Sequence, residues 1–184
     1  MSIHEYAISI LSIVLGLGIA NLLGGIAWMA RNPSNNAYFY VFGIWSLSIL
    51  LATIGMWWGI WIGFKDLTVL SFWSFLPSFL SAALLFLASK ILVPESGRST
   101  IRLDENFPSV AKPLCLCMAL LFLFAGVRFW NPNFYLELEG LLGMVLIVVA
   151  MTGMFAKTPF RHAVVAITWL VAYLMQQAVQ PDIL

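Results

Sequence analysis

The sequence predicts an all-α fold, a polytopic membrane bundle of six transmembrane helices with both chain termini on the outer side. Two observations carry this prediction. Hydrophobic residues make up 62% of the 184-residue chain and charged residues only 9%, whereas a soluble domain carries about 25% charged residues. The apolar residues also form six long stretches, and a helix needs about 20 such residues to cross roughly 30 Å of hydrocarbon. We therefore expect a single transmembrane domain over residues 1–184 and no soluble catalytic domain.

The first three predicted spans each end at a polar or proline-containing segment. The first ends at Asn32-Pro33, the second at Lys65-Asp66 and the third before Pro94. Asparagine and proline favour turns, and proline interrupts a helix interior. The first apolar run is also longer than the ~7–15-residue core of a signal peptide, so we expect it to be retained. These spans cover residues 3–30, 38–64 and 69–92.

The last three predicted spans follow a longer joint at residues 93–112. Pro113 suits the first turn of a helix, because the N–H that proline lacks has no partner there. Asn131-Pro132 and Thr158-Pro159 supply the next two turns, and Pro181 ends the last helix. These spans cover residues 113–130, 135–156 and 162–180.

The basic residues are divided unequally between the two sides that six crossings create. Seven of the nine Lys and Arg residues lie in or beside the first, third and fifth joints, and only Lys65 and Arg128 lie on the opposite side. Cytoplasmic loops carry the excess of Lys and Arg, and tryptophan is enriched at membrane interfaces. We therefore expect joint 93–112 to be cytoplasmic and both termini to face outward. The tryptophans expected at the outer interface are Trp57, Trp58, Trp61, Trp73 and Trp130.

Two stripes of small residues predict close helix packing. A spacing of three or four residues places side chains on one helix face, and small residues let helix backbones approach each other within a membrane. We expect the first two spans to form an antiparallel hairpin along these stripes, or one stripe to bind another subunit in a homo-oligomer. The stripe residues are Ser12, Gly16, Ala20 and Gly24 in the first span and Gly55, Gly59 and Gly63 in the second.

Polar side chains gather where several predicted spans reach the outer side, and ionisable residues within a membrane are candidates for function. One interpretation is an outward-facing recess or pathway, and the alternative is a solvated surface with one Arg–Glu pair. Asn21, near the middle of its span, either hydrogen-bonds a neighbouring helix or lines a pathway. The candidate residues are Glu5, Asn21, Arg128, Glu137, Glu139, Gln176 and Gln180.

The motifs do not indicate catalysis, a metal site or a cofactor. A zinc site needs three or four protein ligands, and no cluster of His, Cys, Asp and Glu in the sequence offers them. Cys115 and Cys117 lack the C-x-x-C spacing of redox and zinc motifs. The chain also has no basic face for nucleic acid. We expect a protein that is not an enzyme, with no cofactor and with the lipid bilayer as its surroundings.

Three short segments carry a resemblance to known sequences. They are Glu5-Tyr6, the run from Ser12 to Gly18, and Trp57-Trp58-Gly59. With these segments the chain resembles a group of small bacterial polytopic membrane proteins of unassigned function. The resemblance implies a bacterial inner membrane and implies no activity or site.

Two functions stay open at this point. The leading hypothesis is a non-enzymatic, oligomeric membrane protein that offers a pathway or binding recess for a small ion or solute. The alternative is a membrane scaffold or accessory subunit, whose glycine stripes bind partner helices and whose joint at 93–112 binds a cytoplasmic protein. Flux through the purified protein favours the first, and stable co-purification with another chain favours the second.

Overall fold

The fold consists of α-helices, as a computed structural model shows for residues 3–33, 37–64, 71–93, 103–128 and 138–179. The predicted all-α class is confirmed for this part of the chain. In chain order the helices are Ile3–Arg31 (α1), Ala37–Phe64 (α2), Phe72–Leu92 (α3), Leu103–Arg128 (α4), Leu138–Gly153 (α5) and Pro159–Val179 (α6).

Helices α1, α2, α3 and α6 are long and apolar enough to cross a membrane. Their number and length confirm the prediction of an integral membrane protein with a helical bundle. The apolar parts of α4 and α5 are shorter, covering Ser109–Ala125 and Leu138–Gly153. The 16 residues of α5 extend about 24 Å at 1.5 Å per residue, which is less than the hydrocarbon thickness. Six crossings therefore stay a prediction.

Contacts along α1 show that this helix runs parallel to α3 and antiparallel to α2. Gly18 lies against the backbone of Phe86, and Asn21, three residues later, contacts Ser89. The contacts advance in the same direction along both helices, so α1 and α3 are parallel. Near the start of α1, by contrast, Ser12 contacts Trp57 near the end of α2.

The second half of the bundle continues the same alternation. Trp45 packs on Trp169 and Leu51 contacts Tyr173, so α2 and α6 are parallel. The start of α5 contacts the end of α6 through Gln176, so these two helices are antiparallel. Helix α4 runs parallel to α6, because residues near the start and the end of α4 contact successive turns of α6. Thus α1, α3 and α5 point one way and α2, α4 and α6 the other.

This alternation gives the bundle two chemically different ends. At the first, which we call the basic end, α1, α3 and α5 finish and the other three helices start. We call the opposite end the aromatic end, because Trp57, Trp58, Trp61 and Trp73 are exposed there. The basic end carries the exposed side chains of Arg31, Lys90, Lys112, Lys157 and Arg161.

Helix α4 begins earlier than the sequence pattern predicts. It starts at Leu103, so Pro113 lies inside the helix and part of the predicted cytoplasmic joint is helical. The reason is tertiary packing. Phe107 is buried, with its ring 5.5 Å from that of Tyr38 and 5.2 Å from that of His162, between ring centroids. These contacts hold the first turns of α4 against α2 and α6.

Two other helices begin at a capping residue that was not predicted from the sequence. Ser71 precedes α3 and forms a capping box with Ser74, in which each side chain bonds the other residue's backbone N–H. Helix α6 begins at Pro159 rather than at the predicted His162. Thr158 caps it, because the Arg161 N–H donates to the Thr158 hydroxyl at 3.3 Å.

Candidate functional site

A tyrosine in the second half of α6 reaches the backbone of α2. The Tyr173 hydroxyl donates to the Leu51 carbonyl at 3.2 Å. Gly55, one turn further along α2, makes this approach possible, because a Cβ at Gly55 would overlap the Tyr173 hydroxyl. Because Gly55 has no side chain, the Leu51 carbonyl one turn earlier stays accessible to a second hydrogen bond.

Gln176 makes a similar bond to α5. Its Nε2 donates to the Glu139 carbonyl at 3.3 Å, and Gly143 again lies one turn further along the contacted helix. A Cβ at Gly143 would lie 3.4 Å from Gln176 Nε2, which is ordinary van der Waals contact. Two polar side chains of α6 are therefore anchored to backbone carbonyls of two different helices, each beside a glycine.

The other end of the Gln176 amide has no hydrogen-bond partner within the described part of the chain. The residue is only 6% exposed, and Oε1 is buried without a hydrogen bond from the described residues. Leaving a buried acceptor unfilled costs about 1–3 kcal/mol. A native protein that retains such a group commonly does so for a ligand, an ion or a water that fills it.

Gln177 and Glu139 are further polar residues on the elements that meet here. Gln177 is half-buried, and its Oε1 would lie 3.2 Å from a Cβ at Gly55. Glu139 is half-buried in the first turn of α5. We call Tyr173, Gln176, Gln177 and Glu139 the α6 polar cluster. It lies near the aromatic end, among α2, α5 and α6.

The structure brings together two of the residues that the sequence assigned to a recess, Glu139 and Gln176. Glu5 is exposed in the first turn of α1, a helix that packs against α2 and α3. Glu137 and Gln180 lie outside the described residues, and so does the side chain of Arg128. The part of the predicted recess that lies within the described residues is therefore the contact between α5 and α6.

Asn21 takes the first of its two predicted roles, a hydrogen bond to a neighbouring helix. Its Nδ2 donates to the Ser89 carbonyl at 2.7 Å. Gly18 and Gly25, one turn to either side of Asn21, lie against α3 and its C-terminal Val93. These small residues let α1 approach closely enough for the bond to form. Asn21 thus joins α1 to α3.

Helices α1 and α2 are antiparallel as expected, but three of the four small residues in the α1 stripe face away from the other described helices. Gly16, Ala20 and Gly24 are exposed, and a Cβ at either glycine would meet nothing within 4 Å among the described residues. The polar Asn21 needs a partner within the bundle, and this need turns the other face of α1 inward. Contact of the stripe with another subunit stays a prediction.

The stripe of α2 is divided between different surroundings. Gly55 lies under Tyr173 of α6 rather than against α1, and a Cβ at Gly59 would meet nothing within 4 Å among the described residues. Gly63 is exposed. Ser12 of the first stripe accepts a hydrogen bond from Trp57 Nε1 at 3.1 Å. Side chains of α1 and α2 therefore meet through serine and tryptophan at this level.

Sequence reasoning missed Tyr173 and the role of Gly55. One signal was available, because Tyr173, Gln176 and Gln177 follow one another at helical spacing and extend the polar face by a turn. No comparable signal joins Gly55 to Tyr173, since they lie on non-consecutive helices. Among the described residues, no group of three His, Cys, Asp or Glu side chains could hold a metal ion.

Comparisons with known proteins return no relative of this chain. No family model matches it, and no curated protein or solved structure matches it either. The function is therefore inferred from the residues of the chain itself.

Proposed function

We propose that the protein is a non-enzymatic membrane protein that offers a pathway or binding recess for a small ion or solute at the α6 polar cluster. One observation carries the proposal. Gln176 is almost completely buried, its Nε2 is fixed to the Glu139 carbonyl, and its Oε1 has no hydrogen-bond partner among the described residues.

The position of the cluster supports this function. An unfilled polar group within a bilayer costs several kcal/mol, because no water is present to satisfy it. Polar side chains within a membrane therefore face the bundle interior or a water-filled cavity, where they mark substrate or ion pathways. The cluster lies between three helices, which is where helical bundles build their ligand sites.

Proteoliposomes that contain only this protein test the proposal. A panel of small ions and neutral solutes is offered, and permeation is followed by light scattering during osmotic shrinkage and swelling. We expect at least one solute to enter faster than in protein-free liposomes, and Gln176→Leu to reduce that rate. Thr168→Val changes an exposed residue of the same helix and serves as the matched control. Liposomes with folded protein that admit no member of the panel would contradict the proposal.

We further propose that all six helices cross a bacterial inner membrane, with the basic end in the cytoplasm and both termini in the periplasm. The exposed cations of the basic end and the exposed tryptophans of the opposite end support this orientation. Local thinning of the bilayer accommodates the short apolar part of α4 and the short α5. In intact cells a membrane-impermeant reagent should label a tag at either terminus. Tags that become labelled only after lysis would contradict this orientation.

The outward-facing stripe of α1 supports a second function, a scaffold or accessory subunit that binds partner helices in a homo-oligomer or with another chain. Gly16 and Gly24 offer a flat surface for close helix packing and meet nothing within 4 Å among the described residues. The contact with a cytoplasmic protein at residues 93–112 stays a prediction, because 94–102 lie outside the described residues.

Bulky side chains on the α1 stripe should weaken association with a partner helix and leave the fold of the single chain intact. We expect the double substitution Gly16→Leu and Gly24→Leu to weaken self-association or co-purification with a partner at least about tenfold. The fold of the single chain should persist, because both positions have open space. Val148→Leu adds bulk to an exposed position of α5 and is the control. Cross-linking in native membranes measures the effect, and unchanged cross-linking in the double variant would refute this role.

A further inference from the structure

We propose that the α6 polar cluster binds a small cation that donates hydrogen bonds, of the ammonium or protonated primary amine class. This inference rests on the proposed function and names the class of ligand for the same recess. It follows from which hydrogen-bonding groups of the cluster are already used, and from the charge around them.

Two buried donor atoms of the cluster already form hydrogen bonds to the protein backbone. The Tyr173 hydroxyl donates to Leu51, and Gln176 Nε2 donates to the Glu139 carbonyl. The second bond also fixes the orientation of the amide, because turning it over would place its oxygen 3.3 Å from the carbonyl oxygen. What the buried amide offers is therefore an acceptor, Gln176 Oε1. The amide nitrogen keeps a second N–H, but the atom of this side chain with no partner among the described residues is the acceptor, which suits a ligand that donates hydrogen bonds.

The charge of the cluster favours a positive ligand over a neutral one. Among its four residues, Glu139 is the one with an ionisable carboxylate. Glu139 lies in the first turn of α5, and its own carbonyl holds Gln176. A carboxylate interacts more strongly with a cation in this partly buried setting than it does in bulk water.

The acceptor in the α6 polar cluster favours a protonated amine over a metal ion as the ligand. Metal cations bind through several oxygen ligands, some of which are water molecules. Gln176 Oε1 is the fully buried side-chain oxygen of the cluster that has no partner among the described residues, and a single directional acceptor suits an N–H donor better than it suits a metal ion. A protonated amine forms separate, directional N–H bonds. It can donate one N–H hydrogen bond to Gln176 Oε1 and donate its other N–H hydrogen bonds to water.

Uptake of radiolabelled methylammonium into proteoliposomes tests the ligand class. The amine is supplied at mildly acidic pH, where it is protonated. Each solute is present at equal concentration on both sides, and entry of its radiolabelled outside pool is followed without an ionophore or a membrane potential. After subtraction of protein-free liposomes, we expect methylammonium to enter at least about tenfold faster than chloride, rubidium or glycerol. Gln176→Leu should lower this uptake at least about tenfold, as expected for a lost hydrogen bond to a charged group. The control Thr168→Val should behave as the wild type.

A second variant keeps the test decisive if Gln176→Leu fails to fold. Glu139→Gln preserves the backbone carbonyl and the side-chain shape and removes one negative charge. It should raise the half-saturating methylammonium concentration at least about threefold. If chloride, rubidium or glycerol is instead the solute that depends on Gln176, the ligand class is wrong and the recess remains. If folded protein conducts no solute, both the recess and its ligand class are refuted.

Discussion

Replacing Trp169 with alanine should lower the free energy of unfolding by about 2–4 kcal/mol, because it leaves a cavity where three helices meet. Trp169 is 0% exposed. Its ring centroid lies 6.1 Å from that of Trp45, 5.6 Å from that of Phe122 and 5.5 Å from that of Tyr173. In the unfolded state the helices separate and the indole contacts lipid, which is as apolar as a protein core. The cost therefore arises from lost packing. Reversible unfolding in mixed micelles measures it.

Two other tryptophan variants show whether the loss comes from core packing. Trp169→Phe keeps most of the ring contacts and removes an indole N–H that has no partner among the described residues. It should cost less than about 1.5 kcal/mol. Trp58→Ala removes a side chain that is 45% exposed at the aromatic end and should also cost little. A Trp169→Ala protein as stable as Trp58→Ala would show that Trp169 lies outside the core.

Some helix ends were predictable because they lie beside residues with a local physical effect. Thr158-Pro159 separates α5 from α6, and Asn32-Pro33 follows α1, as turn chemistry requires. The start of α4 was mispredicted for a different reason. Pro113 favours a helix start only in the absence of tertiary contacts, and burial of Phe107 extends the helix to Leu103. A distant contact of this kind leaves no periodic signal in the sequence.

The candidate site was predictable only where it joins consecutive helices. Glu139 and Gln176 were expected to lie together, because the start of α5 and the end of α6 meet in any antiparallel hairpin. Tyr173 and Leu51 are 122 residues apart, and hydropathy does not reveal which non-consecutive helices touch. The same limit applies to α1. Both of its faces carry glycines, and the bond from Asn21 to Ser89 determines which face turns inward.

Gly55→Ala should lower the free energy of unfolding by about 1–2 kcal/mol, a net loss that remains after the ~1 kcal/mol that alanine gains over glycine in a helix. The new Cβ would overlap the Tyr173 hydroxyl and would lie 3.2 Å from Gln177 Oε1. Overpacking of this kind costs typically 1–3 kcal/mol. The tyrosine ring is rigid and buried, so it cannot move aside without losing its stacking on Trp169, whose ring lies at 9° to it. The hydrogen bond to Leu51 would also be lost, at about 0.6 kcal/mol within a membrane.

Tyr173→Phe should rescue the Gly55→Ala protein, although alone it weakens the wild type by about 0.6 kcal/mol. It removes the overlapping oxygen, and the nearest remaining ring atom, Cζ, would lie 3.3 Å from the alanine Cβ. The double variant should therefore be more stable than Gly55→Ala alone, a coupling that additive effects cannot produce. Gly59→Ala is the matched control, because a Cβ there meets nothing within 4 Å among the described residues. Alanine favours a helix over glycine, so this variant should be as stable as the wild type or slightly more so. Additive losses in the double variant would mean that Tyr173 does not approach α2 at Gly55.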